Sequence, residues 1–213
     1  MAPGAIPPEV ELAVFARAPV AGEVKTRLAA TLGAERAARL HAGLVWRALE
    51  TAAAARVGPV VLWCSPDCAD PFFERCRAEL GVELRAQRGG DLGERMRAAF
   101  EDAWSAGHAL VLIGSDCPAL LPAHLVQAAR CLAAQDAVFI PAEDGGYVLV
   151  GASRPLPRLF EDIEWGSASV MAATRERLGE MGARWEELPA LWDVDRAEDY
   201  ERLRAERLLG EAA

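Results

Sequence analysis

The chain has 213 residues, 52% of them apolar and 26% charged, with a formal net charge of -9 at pH 7. That length supports one α/β domain with a sizeable core, and the composition excludes a disordered body. The negative balance excludes a general nucleic-acid or membrane-surface binder, because both polyanionic surfaces demand a concentrated basic patch, and no run approaches the roughly 20 apolar residues of a membrane span.

Short β-rich runs alternate with longer helical periodicities, the pattern of βα units that build a largely parallel sheet. Strands are expected at 12–16, 60–63, 82–85, 110–113, 138–140 and 147–150, and helices at about 34–56, 70–80, 91–105, 122–134, 167–181 and 195–209. Within the third helix Asp91 and Glu94 stand at capping-box spacing, Leu92, Met96, Ala99, Phe100 and Ala103 form one apolar stripe, and Gly107 ends the element. Only residues 142–146 separate the fifth and sixth strands, too few for a parallel crossover, so an antiparallel extension is expected there. The result is one domain over 11–209, between an N-terminal tail at 1–10 and a C-terminal tail at 210–213. Five cysteines (Cys64, Cys68, Cys76, Cys117 and Cys131) form an odd set with no zinc-ligand spacing, and the first residues lack the form of a signal peptide. Both features point to free thiols in a reducing, cytoplasmic setting.

Five segments carry candidate chemistry. After the first strand, residues 16–28 (ARAPVAGEVKTRL) place Arg17, Gly22, Lys25, Thr26 and Arg27 in a turn-rich, cationic loop. Such a loop at a helix start suits phosphate, although Val24 before Lys25 and Thr26 sets it apart from a Walker A loop. A solvated basic turn is the plain alternative, in which Lys25 and Arg27 are exposed and contribute little to stability. The fourth strand ends in Gly114, Ser115, Asp116, Cys117 and Pro118, which puts Asp116 beyond a strand's carboxyl end, where open α/β sheets bind ligands. That carboxylate suits Mg²⁺ or Mn²⁺, or else caps the following segment. Glu143, Asp144, Gly145, Gly146 and Tyr147 fit a site loop or a plain hairpin turn. Asp193 and Asp195 share one face if extended, while Asp195 with Glu198 also fits a helix-capping box. Ser167 opens a helical pattern and is either a cap or a ligand donor. His41, His108 and His124 are scattered and form no triad pattern, and Trp46, Trp63, Trp104 and Phe100 fit core positions.

Taken together, FARAPVAGEVKTRL, QRGGDLGERM, LIGSDCPAL, EDGGYVLVG, WGSASV and WDVDRAEDY resemble the bacterial DUF2064 family across about residues 11–204. That family is described as glycosyltransferase-like and as radical-SAM/selenodomain-associated transferase 1. The resemblance implies a single-domain, GT-A-like nucleotide-diphospho-sugar transferase fold with a mostly parallel central sheet, flanking helices and an antiparallel extension. It implies Lys25, Asp116 and Asp144 as catalytic residues, and Asp116 with Asp193 or Asp195 as ligands of Mg²⁺ or Mn²⁺. Nucleotide and phosphates would be held by Arg17, Gly22, Lys25, Thr26, Arg27, Gly90, Asp91, Ser115, Gly145, Gly146 and Ser167. One departure is that Ser115-Asp116 supplies a single acid where many glycosyltransferases of this fold carry D-x-D, so a late Asp is needed. The implied substrates are a nucleotide sugar or an NTP and a small-molecule acceptor, with no nucleic acid and no membrane span. Glycosyl transfer from an NDP-sugar leads. Nucleotidyl transfer from an NTP to a phosphorylated or carboxylated acceptor is the alternative, which the three loop cations favour, and a non-catalytic nucleotide-binding regulator is the third reading.

Overall fold

The structure is a computed structural model that describes residues 9–208. The expected N-terminal tail, up to residue 8, and the whole expected C-terminal tail lie outside these residues. The described chain forms one seven-stranded sheet in the order β3-β2-β1-β4-β6-β5-β7. Its strands are β1 (Val10–Arg17), β2 (Val60–Ser65), β3 (Glu83–Ala86), β4 (Ala109–Ile113), β5 (Ala137–Pro141), β6 (Tyr147–Ala152) and β7 (Trp185–Glu187). The helices are α1 (Thr26–Leu32), α2 (Ala34–Ala55), α3 (Pro71–Leu80), α4 (Leu92–Ser105), α5 (Pro122–Leu132), α6 (Val170–Glu180) and α7 (Ala197–Ala205). All six expected strands and all six expected helices are present. Two short elements, α1 and β7, are additional.

β1 pairs in parallel with β2 and β4, whereas β6 runs antiparallel to both β4 and β5. The short 142–146 connection forces this arrangement: β5 and β6 form a hairpin, and β6 is inserted beside β4. β1 is apolar in both alternating sets because helices cover both faces of the sheet. Leu12, Val14 and Ala16 pack towards α2, α3 and α5, while Ala13 and Phe15 join Trp63, Phe100 and the α4–α6 side. A third cluster joins Leu28 of α1, Leu40 and Leu44 of α2, and Leu203 of α7 to Trp192 and Val194. It anchors the segment before α7 beside the end of β4, where the Val194 amide donates to Asp116 O.

Of the expected helix caps, that of α4 is present. Asp91 Oδ1 accepts from the Glu94 amide at 2.8 Å, while Glu94 Oε2 reaches back to the Gly90 amide at 2.7 Å, one residue before the expected partner. At α7 the expected box is replaced. Asp199 Oδ2 accepts from the amides of Arg196 (2.7 Å) and Asp195 (3.0 Å), so neither Asp195 nor Glu198 supplies the cap. Ser167 does not open α6, which begins at Val170. Its hydroxyl donates to Glu164 O at 2.8 Å and lies 2.7 Å from Ser169 Oγ within the preceding turn. The five cysteines are free, and no helix among the described residues is long and apolar enough to cross a membrane.

Candidate functional site

β4 delivers Gly114, Ser115 and Asp116 to the sheet's carboxyl edge. Asp116 does not cap a helix, because α5 starts at Pro122 behind Leu121. Its Oδ1 instead lies 2.8 Å from Lys25 Nζ and 3.8 Å from His41 Nδ1. Lys25 adopts a left-handed backbone (φ 49°) at the start of α1, which turns its side chain inward. Its Nζ donates to Val194 O at 2.5 Å, and the side chain is only 5% exposed. The expectation of an exposed Lys25 is therefore wrong: the turn folds this cation under the loop, where it joins β4 to the segment before α7. The Val194 amide completes the junction by donating to Asp116 O at 2.9 Å. Arg27 remains outside, 64% exposed, paired with Asp195, which is 40% exposed.

His41 is the participant that the sequence pattern concealed. It lies on the buried face of α2, where an apolar periodicity reads it as ordinary core. Its Nε2 is 3.0 Å from Arg17 O, and Nδ1 is buried without a hydrogen-bond partner. No spacing in the chain links residue 41 to residue 116, so only the tertiary fold exposes the relation.

The two central carboxylates have opposite electrostatics. Burial would raise Asp116, but the Lys25 ammonium and the adjacent His41 more than offset it and hold the carboxyl well below the usual carboxylate range. Asp193 is pushed up to about 6 by burial and by the charges of Asp144 and Asp116, with Lys25 opposing. The Cys117 thiol beside them is pushed up to about 12, mainly by burial, which disfavours a thiolate nucleophile there.

Asp116 and Gly114 stand between two cavities. The larger, about 510 Å³, gathers Arg17, Lys25, Thr26, Arg27, Ser115, Asp116 and Asp195, together with His41, Gln87 and Arg95. The smaller, about 280 Å³, gathers Asp116, Asp144, Gly146, Ser167 and Asp193 against Tyr147 and Trp165. Gly22, Gly90, Asp91 and Gly145 line neither. Gly90 and Asp91 serve the start of α4, and Gly22 sits in an open turn at φ +86°. Gly145 shapes the smaller cavity indirectly, since at φ +95° a Cβ would lie 2.2 Å from Ala168 O.

A divalent cation fits part of the expected ligand set. Asp116 and Asp193 face the same small cavity, and the Asp116 charge helps to raise Asp193, a repulsion that a hard cation would relieve. Asp195 fits less well, because it faces the larger cavity and is engaged by Arg27. Among the described residues no three His, Cys, Asp or Glu side chains are grouped to hold a metal by themselves. Mg²⁺ commonly takes one or two carboxylates and completes its shell with water and substrate phosphate, so a two-carboxylate set suffices.

Comparisons with known proteins agree with this architecture. A family profile described as an uncharacterized protein conserved in bacteria (DUF2064) matches residues 48–167. No curated protein matches the chain. Among solved structures, a protein of Desulfovibrio desulfuricans G20 assigned to the nucleotide-diphospho-sugar transferases is 34% identical, with a TM-score of 0.81 over 89% of this chain and 83% of that one. A nucleotidyl transferase of Methanothermobacter thermautotrophicus (18% identity, TM-score 0.66, 94% and 98% of the two chains) shares the fold. So does a cytidylyltransferase of Leptospira borgpetersenii (17%, 0.63, 92% and 85%).

Proposed function

Because the chain belongs to the bacterial DUF2064 family, we propose that it is a metal-dependent transferase acting on a nucleotide-activated donor, with glycosyl transfer from an NDP-sugar to a small acceptor as its reaction. The observation that carries this reading is the position of Asp116 at the junction of a cationic cavity and an acidic one. The larger cavity suits the donor's nucleotide and diphosphate, with Arg17, Arg27 and Lys25 as donors to phosphate oxygens. Asp116 and Asp193 would hold Mg²⁺ or Mn²⁺. When bound, the metal neutralises charge on the departing diphosphate. Lys25 would keep Asp116 ionised for that role, and Asp144, which lines the smaller cavity, would take the proton of an acceptor hydroxyl.

Nucleotidyl transfer is the competing reading, favoured by two distant fold neighbours that are a nucleotidyl transferase and a cytidylyltransferase. The three-cation argument for a triphosphate is weaker in the folded chain than in the sequence, because Lys25 and Arg27 are each already paired with an aspartate. The test incubates the protein with NDP-sugars or NTPs, with Mg²⁺ or Mn²⁺. Slow NDP release with water as acceptor, and no pyrophosphate from any NTP, is expected. Pyrophosphate release that disappears in Asp116→Asn would overturn glycosyl transfer.

A further inference from the structure

The smaller cavity has a one-sided charge pattern. Asp116, Asp144 and Asp193 line it, and no Lys, Arg or His does so among the described residues. The nearest influential cation, Lys25, is held by Asp116 and Val194 O beneath the loop. The remainder of the wall is largely apolar and aromatic, with Tyr147 and Trp165 edge to face at 6.3 Å. Its volume of about 280 Å³ lies just below the range of roughly 300–1,000 Å³ typical of sites for drug-sized ligands, so one ring is a suitable occupant.

Three carboxylates cannot donate hydrogen bonds when ionised, but they accept them from hydroxyl groups, and aromatic rings cover the C–H faces between those hydroxyls. A carboxylate or phosphate on the occupant would meet like charge in a partly desolvated space. A divalent ion held by Asp116 and Asp193 would be shared with the donor's diphosphate and leave Asp144 unneutralised, so it does not open the cavity to further anions.

We propose that this cavity receives the donor's sugar as an uncharged polyhydroxyl ring, with the Asp144 carboxylate accepting hydrogen bonds from its hydroxyls, and that it excludes uronic and phosphorylated sugars. The inference rests on the reading that the nucleotide occupies the larger cavity, and the experiment separates the two. Competition binding at fixed Mg²⁺ first tests the five common nucleoside diphosphates. In the nucleobase series that binds, the diphosphate alone is then compared with its neutral hexose derivative and its uronate derivative. The hexose derivative should bind at least tenfold more tightly than the uronate, and Asp144→Asn should narrow that ratio several-fold. A uronate derivative that binds as tightly as the hexose in the unaltered protein overturns the proposal, as does a hexose that adds nothing to the diphosphate. If no diphosphate binds, the nucleotide reading falls and this inference falls with it. The comparison within the unaltered protein decides the matter even if Asp144→Asn folds poorly.

Discussion

Replacing Lys25 by Met keeps the stem of the side chain and removes the charge that satisfies Asp116. Breaking a fully buried ion pair costs about 3–5 kcal/mol, whereas exposed pairs contribute about 0–1 kcal/mol. Here one partner is 5% exposed and the other 42%, which puts the expected loss between those limits, near 2 kcal/mol. For a domain of this size that corresponds to a fall in Tm of roughly 4–8 °C. Urea unfolding at pH 7 in low salt measures it. Adding Asp116→Asn to Lys25→Met should recover roughly half of the loss, because the uncompensated carboxylate is then gone. The pH dependence has the sign of a depressed carboxyl: the stabilisation is present above the unfolded value of 3.8 and is lost as pH falls below it, and Lys25→Met should lack that acid-side loss. A Lys25→Met loss below about 0.5 kcal/mol, or strictly additive effects of the two substitutions, would refute the ion-pair reasoning.

Arg27→Ala should change stability by less than about 0.5 kcal/mol because its pair with Asp195 is exposed, yet lower nucleoside-diphosphate affinity by roughly 1.5–3 kcal/mol in calorimetry. Unchanged affinity would remove the loop's outer cation from the site. The Asp193 carboxyl is raised, so stability should fall as pH rises from 3.8 to about 6 and then level off. Asp193→Asn should therefore be more stable at pH 7, by about 1 kcal/mol after allowance for partial solvation, and lose Mg²⁺-enhanced nucleotide binding. An unfolding series with both variants from pH 4 to pH 8 checks the sign. Gly145→Ala should cost more than about 2 kcal/mol, because the added Cβ meets Ala168 O, whereas Gly166→Ala, at φ +82° in open space, should cost only about 1 kcal/mol. Equal melting temperatures for the two variants would contradict this account of the turn.

The regular elements were legible because their periodicities were long. The α4 stripe from Met96 to Ala103, the apolar run of β4 and the five-residue β5–β6 connection each admit few alternatives, although Leu92, read into that stripe, is 45% exposed and lines both cavities. α1 and β7 escaped because seven and three residues are too short to show a period, and both depend on neighbouring elements. The residues gathered around Asp116 were largely visible as cationic and acidic motifs. Their environments were not. Lys25 is buried through one left-handed residue, which a sequence containing Lys at that position does not advertise. Asp195 looked like a cap because Glu198 stands at the right spacing, yet Asp199 takes the amides since the helix starts one residue later than that spacing implies. His41 could not be distinguished from a core histidine without knowing that the fold brings α2 beside the Asp116 carboxylate.

The main chain of Val194 bonds to Asp116 through its amide and receives Lys25 through its carbonyl, while Trp192 and Val194 are buried against Leu28, Leu40 and Leu44. A nascent chain that has passed β4 and Asp116 already contains the loop and the aspartate, but has nothing to clamp them together. A product interrupted before residue 192 would keep much of the parallel sheet and lack the clamp, leaving Lys25 and the Asp116 turn free to open locally. On the proposed function, ligand competence would arrive late in synthesis, and an incomplete chain should bind little donor.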